Sequence, residues 1–324
     1  MKLSEIYKTA IELGTEADPR GADALKAILD KKKQEFEKLS EEDKQFFDKE
    51  SLKNPYADTR ILHGDPDTEI EGVLTGIDLE VGELLLADHL NSKKDAKINL
   101  LLAHHPEGRS LIGLSKVMGM QADIWSNAGV PINIGDFLID KRSAEVYRRI
   151  MPINHNRSVD AARLLGFNYM TVHTPGDNLV SQFVQKYLDK KQPKTLEDVT
   201  RELKKIEEYS QAAKLGAGPM ILVGSPKARA GKILVDMTGG TEGPQEVLEK
   251  LAQAGVGTLV NMHLSDKARK KAEEAHINIV IAGHIASDAI GMNLFLDKLE
   301  EKGLTNIVPT SGLTRVKRVS GIKE

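Results

Sequence analysis

Apolar residues in the first 62 positions recur at helical spacing. Leu3, Ile6, Tyr7, Ala10, Ile11 and Leu13 share one stripe, and Asp18-Pro19-Arg20-Gly21 interrupts it. A second helix is expected through Ala24–Asp30 into the charge run Lys31-Lys32-Lys33, which reads as a solvated face. Ser40-Glu41-Glu42-Asp43 has the form of a capping box opening a third. Turn-rich Asn54-Pro55 and His63-Gly64-Asp65-Pro66 close this arm. The pattern then changes to short, continuous apolar runs, the signature of strands buried on both faces. Val73–Asp78 reads as a strand, Val81–Leu90 as a helix and Ile98–Ala103 as a second strand. A mostly helical excursion at 109–155 carries the single Trp125. A helix at Arg157–Leu165, a strand at Phe167–Val172 and a helix from Asn178 towards Leu188 follow.

After Pro193 comes a charged helix, Leu196–Tyr209, with Thr195 and Asp198 as a capping pair and Leu215–Pro219 as a hinge. The strand–helix order then repeats. Ile233–Asp236 is a strand, Pro244–Gln253 a helix, Thr258–Val260 a strand, Lys267–Ala275 a helix and Ile277–Ala282 a strand, with a last helix to Lys302. Each half reaches a histidine after its second strand, at His105 and His263, at nearly the same distance from its first. Each carries His-x-x-x-Asp after its third. The expected fold is α/β with two similar, duplicated halves and a cleft between them. The chain divides into an N-terminal helical arm (1–62), a first α/β half (63–192), a helix and linker (193–218) and a second α/β half (219–324).

Composition narrows the chemistry. The chain has 324 residues, 29% charged and 40% apolar, enough for two cores, and a net charge of -3 gives nucleic acid or an anionic membrane little to hold. No apolar run reaches membrane-spanning length and no secretory leader follows Met1, so a cytoplasmic protein is expected. With no cysteine, disulfides, thiolate metal sites and thiol nucleophiles are excluded.

Five of the nine histidines, His104, His105, His173, His263 and His284, fall at predicted strand ends, where α/β sheets place their ligands. Asp177 and Asp288 follow His173 and His284 by four residues. Each carboxylate is open to three readings: a metal ligand, a group orienting an imidazole, or a helix N-cap. If the halves face each other, the set can hold two divalent ions. Imidazole with carboxylate suits Zn, Fe, Mn, Co or Ni. His63, His89, His155 and His276 read as structural or exposed. Asp236-Met237-Thr238-Gly239-Gly240 reads as a turn, with phosphate contact as its other reading. Arg229 and Lys232, in the basic loop Ser225–Lys232, would face water or meet a substrate phosphate. No nucleophile-elbow motif is present.

Leu102-Ala103-His104-His105-Pro106, Val172-His173-Thr174-Pro175-Gly176-Asp177 and Ala282-Gly283-His284 resemble the NGG-one-interacting-factor-three-like family, whose members are also called GTP cyclohydrolase I type 2 homologues. The likeness runs from about Leu3 to Arg315. It implies two similar α/β halves, a dinuclear metal site between them and a homo-oligomer, often a toroidal hexamer. His104, His105, Asp177 and His284 are the ligands it implies. Where the family usually has Glu after Gly-His, this chain has Asp288; where it often has Gly-Glu, this chain has Met262-His263. His263 and His173 are then ligands or supports. The function expected is a metal-dependent hydrolase of unknown substrate, nucleotide-related and GTP cyclohydrolase-like by resemblance. The alternative is a non-catalytic regulatory or metallochaperone protein that acts through a protein partner.

Overall fold

The computed structural model describes residues 1–318; positions 319–324, the end of the second half, lie outside the described residues. The N-terminal arm forms α1 (Leu3–Glu16), α2 (Ala22–Lys38), the short α3 (Glu41–Lys44) and a 3-10 turn (Lys49–Leu52). The first half follows as β1 (Arg60–His63), β2 (Val73–Gly76), α4 (Val81–Lys94), β3 (Leu100–Ala103), α5 (Gly108–Val117), α6 (Met120–Ala128), α7 (Ile132–Ile150), α8 (Arg157–Leu165), β4 (Asn168–Thr171) and α9 (Thr174–Lys191). The connecting segment makes α10 (Leu196–Leu203) and α11 (Glu207–Lys214). The second half is β5 (Met220–Val223), β6 (Lys232–Val235), α12 (Val247–Gln253), β7 (Val256–Asn261), α13 (Asp266–Glu274), β8 (Asn278–Ile281), α14 (His284–Glu301) and β9 (Ile307–Thr310). Among the described residues no helix is long and apolar enough to cross a membrane.

The two sheets have strand orders β1-β4-β3-β2-β9 and β5-β8-β7-β6. Four strands of one match four of the other. In each, three adjacent strands run parallel and the first joins antiparallel at the edge. Even the irregularities agree, since β1 skips a residue between Ile61 and His63 and β5 does so between Ile221 and Val223. The repeat reaches back into the arm. Leu3 and Ser4 at the start of α1 donate to the Thr68 and Pro66 carbonyls, as Leu196 and Glu197 of α10 donate to Ala228 and Pro226. Thus α1 is the counterpart of α10.

Three strands escape the apolar pattern. β1 and β5 are edge strands, and Met220 of β5 is itself exposed. β9 joins β2 in parallel and brings the chain's last described strand back to the first sheet. Four residues at an edge bury too few side chains to leave a periodic signal. The excursion is also relocated by the structure. Met118, Met120, Trp125 and Ile139 pack with Leu248, Leu251, Leu259 and Ile279, so α6 and α7 cover the second sheet although they interrupt the first half. Gln121 completes this clasp by donating to the Gly239 and Thr241 carbonyls, 2.7 Å each.

Helices α9 and α14 lie against each other at the centre and connect the two sheets. Their contact depends on one glycine. A Cβ on Gly291 would stand 2.3 Å from the Gly176 carbonyl oxygen, far inside contact distance. Gly291→Ala is therefore expected to lower the melting temperature by several degrees and to weaken metal binding with it, because these two helices carry Asp177 and Asp288. An unchanged melting curve would show that the helices can part at no cost.

Candidate metal centre

β3 ends at Ala103, and the backbone bends at His104-His105. The strand's alternation stops there, so both imidazoles approach Asp288, with ring centroids 5.4 Å apart; His105 lines the cleft and His104 is buried behind it. His104 is fully buried, and its Nδ1 donates to the Val172 carbonyl at 2.9 Å. His105 Nδ1 donates to Asp78 at 2.6 Å. His173, before the first turn of α9, donates from Nδ1 to Asp58 at 2.8 Å. With Nδ1 engaged in each ring, Nε2 is left for the centre, which is how a supporting acceptor fixes an imidazole as a ligand.

The two carboxylates arrive on helices from different halves. His104 Nε2 stands 3.4 Å from Asp177 Oδ1 and 3.6 Å from Asp288 Oδ1. Asp288 Oδ2 is 3.3 Å from His105 Nε2 and 3.5 Å from His284 Nε2. Asp177 Oδ2 lies 3.8 Å from His173 Nε2. Two groups of ligand-type atoms are close enough to hold a metal ion, His104–His105–Asp288 and His104–His173–Asp177, and His104 belongs to both. Among the described residues, His104 Nε2 and both oxygens of Asp288 are buried with no hydrogen-bond partner. Buried polar atoms normally find partners, so three orphans in one cluster mark a place for a bound group. The donors are all nitrogen and oxygen, which fits a divalent transition ion.

The charge distribution agrees. Burial pushes the His104 imidazolium down, but Asp288 and Asp177 outweigh it and leave the pKa well above the ordinary histidine value. Burial pushes Asp288 up, yet His104, His105 and His284 hold it far below the carboxylate range. His284, half-buried among other histidines, is shifted down by desolvation and by its like-charged neighbours.

Neither aspartate is a helix cap. The caps are His173 and Gly283, so Asp177 and Asp288 stand inside their helices. Gly283 has φ +111°, and a Cβ there would meet the Ala217 carbonyl at 2.7 Å; the position needs glycine. The two His-x-x-x-Asp motifs are not equivalent, contrary to their look in the sequence. β4 and α9 begin at Asn168 and Thr174, β8 and α14 at Asn278 and His284. His284 therefore matches Thr174, and Asp288 matches Asn178. The motifs are one residue out of register, about 100° apart around a helix, which lets both carboxylates meet at His104 from different sides.

His263 is exposed and packs its ring 4.9 Å from His284, outside both ligand groups. Arg229 and Lys232 do not reach the cleft. Lys232 opens β6 at the end opposite the site, and its ammonium donates to the Ala128 carbonyl. Arg229 is exposed beside it. Asp236–Gly240, read as a turn, forms a wall of the cleft. Sequence reasoning missed Asp58, which is fully buried and holds both His173 and the Thr174 hydroxyl. It lies in a loop with no pattern around it, and only the chain's return past β4 brings it to the site. Asp236 was also missed as a site residue; its carboxyl accepts from the Trp125 indole, and burial raises it to about 6.

No family model and no curated protein matches the chain. Solved structures do. The NIF3 superfamily protein from Sphaerobacter thermophilus is 27% identical, with a TM-score of 0.69 over 79% of this chain and 92% of that one. The chain is NIF3-like. More remote are reduced HcgD from Methanocaldococcus jannaschii, at 16% identity and TM-score 0.47, covering 83% of this chain and 94% of that one. A Bacillus cereus protein related to NIF3 stands at 12% and 0.44, covering 82% and 93%. The NIF3-like chain thus has the mixed α/β fold with two parallel-rich sheets expected from its pattern. Its buried His/Asp groups fit a metal-binding protein.

Proposed function

We propose that this NIF3-like protein is a dinuclear metal-dependent hydrolase. The observation that supports it best is the set of orphaned atoms on His104 and Asp288, buried beside an open cleft that Asp288 lines. His104, His105, Asp177, His284 and Asp288 would hold two divalent ions, with His173 as a further donor. Ions bound there supply Lewis acidity towards water and a substrate oxygen. The protein's own residues do the rest. Asp58, Asp78 and the Val172 carbonyl keep three imidazoles in one tautomer, and burial of His104 and Asp288 keeps bulk water from competing. The cleft leaves a face of the cluster accessible, as a catalytic site needs and a closed structural site does not.

Elemental analysis of the purified protein, followed by a hydrolase panel in the metal found, tests this. Bound metal with turnover that a chelator abolishes is the expected result. Stoichiometric metal that transfers to an acceptor without any turnover supports the delivery reading; no bound metal removes both. A homo-oligomer, with a hexamer as the assembly the resemblance implies, is part of the proposal. Phe137 and Tyr147 on α7 are large and exposed. Light scattering should give a mass well above 35.6 kDa at micromolar concentration; a species of that mass alone counts against assembly.

A further inference from the structure

The cleft beside the ligands has a volume of about 370 Å³, room for a small ring. Its lining contains neither lysine nor arginine among the described residues, but six carboxylates: Asp78, Glu107, Asp177, Asp236, Glu242 and Asp288. Four histidines also line it, His105, His173, His263 and His284, and the six carboxylates outnumber them, which leaves the wall a net acceptor surface.

Two buried amide oxygens in the lining lack partners, Gln121 Oε1 and Asn261 Oδ1. Gln121 is 3% exposed, and its orientation is fixed because Nε2 is already spent on the Gly239 and Thr241 carbonyls. Its oxygen is thus an unfilled acceptor. Asn261 Oδ1 likewise has no hydrogen-bond partner among the described residues, so it too is an open acceptor. Asp236 adds a carboxylate, anchored on one oxygen by Trp125 at 3.3 Å. Leu111, Leu114, Met237 and Met262 supply apolar walls. Unmet buried acceptors favour a ligand that donates, and leaving them unpaired penalises one that does not.

We propose that this cleft is a recognition site for a planar, N–H-donating group of neutral or positive charge — an amide, amidine or amine — and not for a phosphate. Gln121, Asn261 and Asp236 are the residues that read it. The assignment rests on the proposed metal centre only for what the ligand lies beside; the recognition surface itself needs no ion. It directs the search for a substrate to C–N bonds rather than phosphate esters.

Benzamidine, benzamide and phenyl phosphate share a ring and differ in head group. Their binding to the full chain is measured by ligand-observed NMR, in chelator-stripped and metal-loaded protein, with metal content determined on the same samples. In stripped protein, benzamidine and benzamide should bind and phenyl phosphate should not. Asp236→Asn should weaken benzamidine about tenfold, and Asn261→Ala should weaken both amide-like probes, at unchanged melting temperature. If phenyl phosphate binds the stripped protein best, or both variants leave all three probes unaffected, the assignment is wrong. Probe binding in protein that takes up no metal would overturn the hydrolase reading and leave this one standing. Metal uptake without binding of either nitrogen probe would do the reverse.

Discussion

His104→Ala is expected to empty the whole metal centre. His104 is the member common to both ligand groups, and its Nε2 lies between Asp177 and Asp288. Metal per chain should fall to near zero. The variant should also be less stable in chelator, because the imidazolium that compensates two buried carboxylates is gone. Removing one partner of a buried pair costs on the order of 3 kcal/mol. His284→Ala separates the two effects. His284 is half-buried and contacts only Asp288 of the pair, so this change should cost metal and little chelator-state stability. Elemental analysis and thermal melts of both variants decide it. Unchanged metal content in His104→Ala would place the ions elsewhere.

The second large effect is expected at Asp288. Both of its oxygens are buried without hydrogen-bond partners, and three imidazoles surround them. Asp288→Asn keeps the shape and removes the charge that balances a divalent ion. Its affinity should drop by more than the roughly 10–100-fold that loss of a mere supporting partner costs. A hundredfold loss appears as about 2.7 kcal/mol less stabilisation at saturating metal. The readout is the rise in melting temperature on adding metal, not the melting temperature itself, since Asn also forfeits attraction to His104. Asp288→Glu should keep most of that rise, because it preserves the carboxylate and only lengthens its reach by one methylene. An Asn variant that gains as much from metal as the wild type would leave Asp288 a packing residue.

Much of this architecture was readable in the chain because burial on both faces produces continuous apolar runs. Leu100–Ala103 and Asn168–Thr171 became central strands, and the histidines following them reached the cleft. Asp177 and Asp288 were legible through their spacing from histidine, although the repeat that drew attention to them is one residue out of register. Asp58 and Asp236 were not legible. Asp58 has no motif around it, and Asp236 looked like the end of a strand and the start of a turn.

Sequence by itself determined the buried strands and most helices, the duplicated halves and a cysteine-free, histidine–carboxylate donor set. These follow from residue chemistry and short-range periodicity. Tertiary structure alone decided that α6 and α7 pack on the other half and that His104 serves both ligand groups. It also decided that the cleft is lined by acids and unpaired amides, with Arg229 and Lys232 left outside. Such facts depend on which distant segments are brought within a few ångströms, and Trp125 beside Asp236, or Asp58 beside His173, leaves no trace in local pattern.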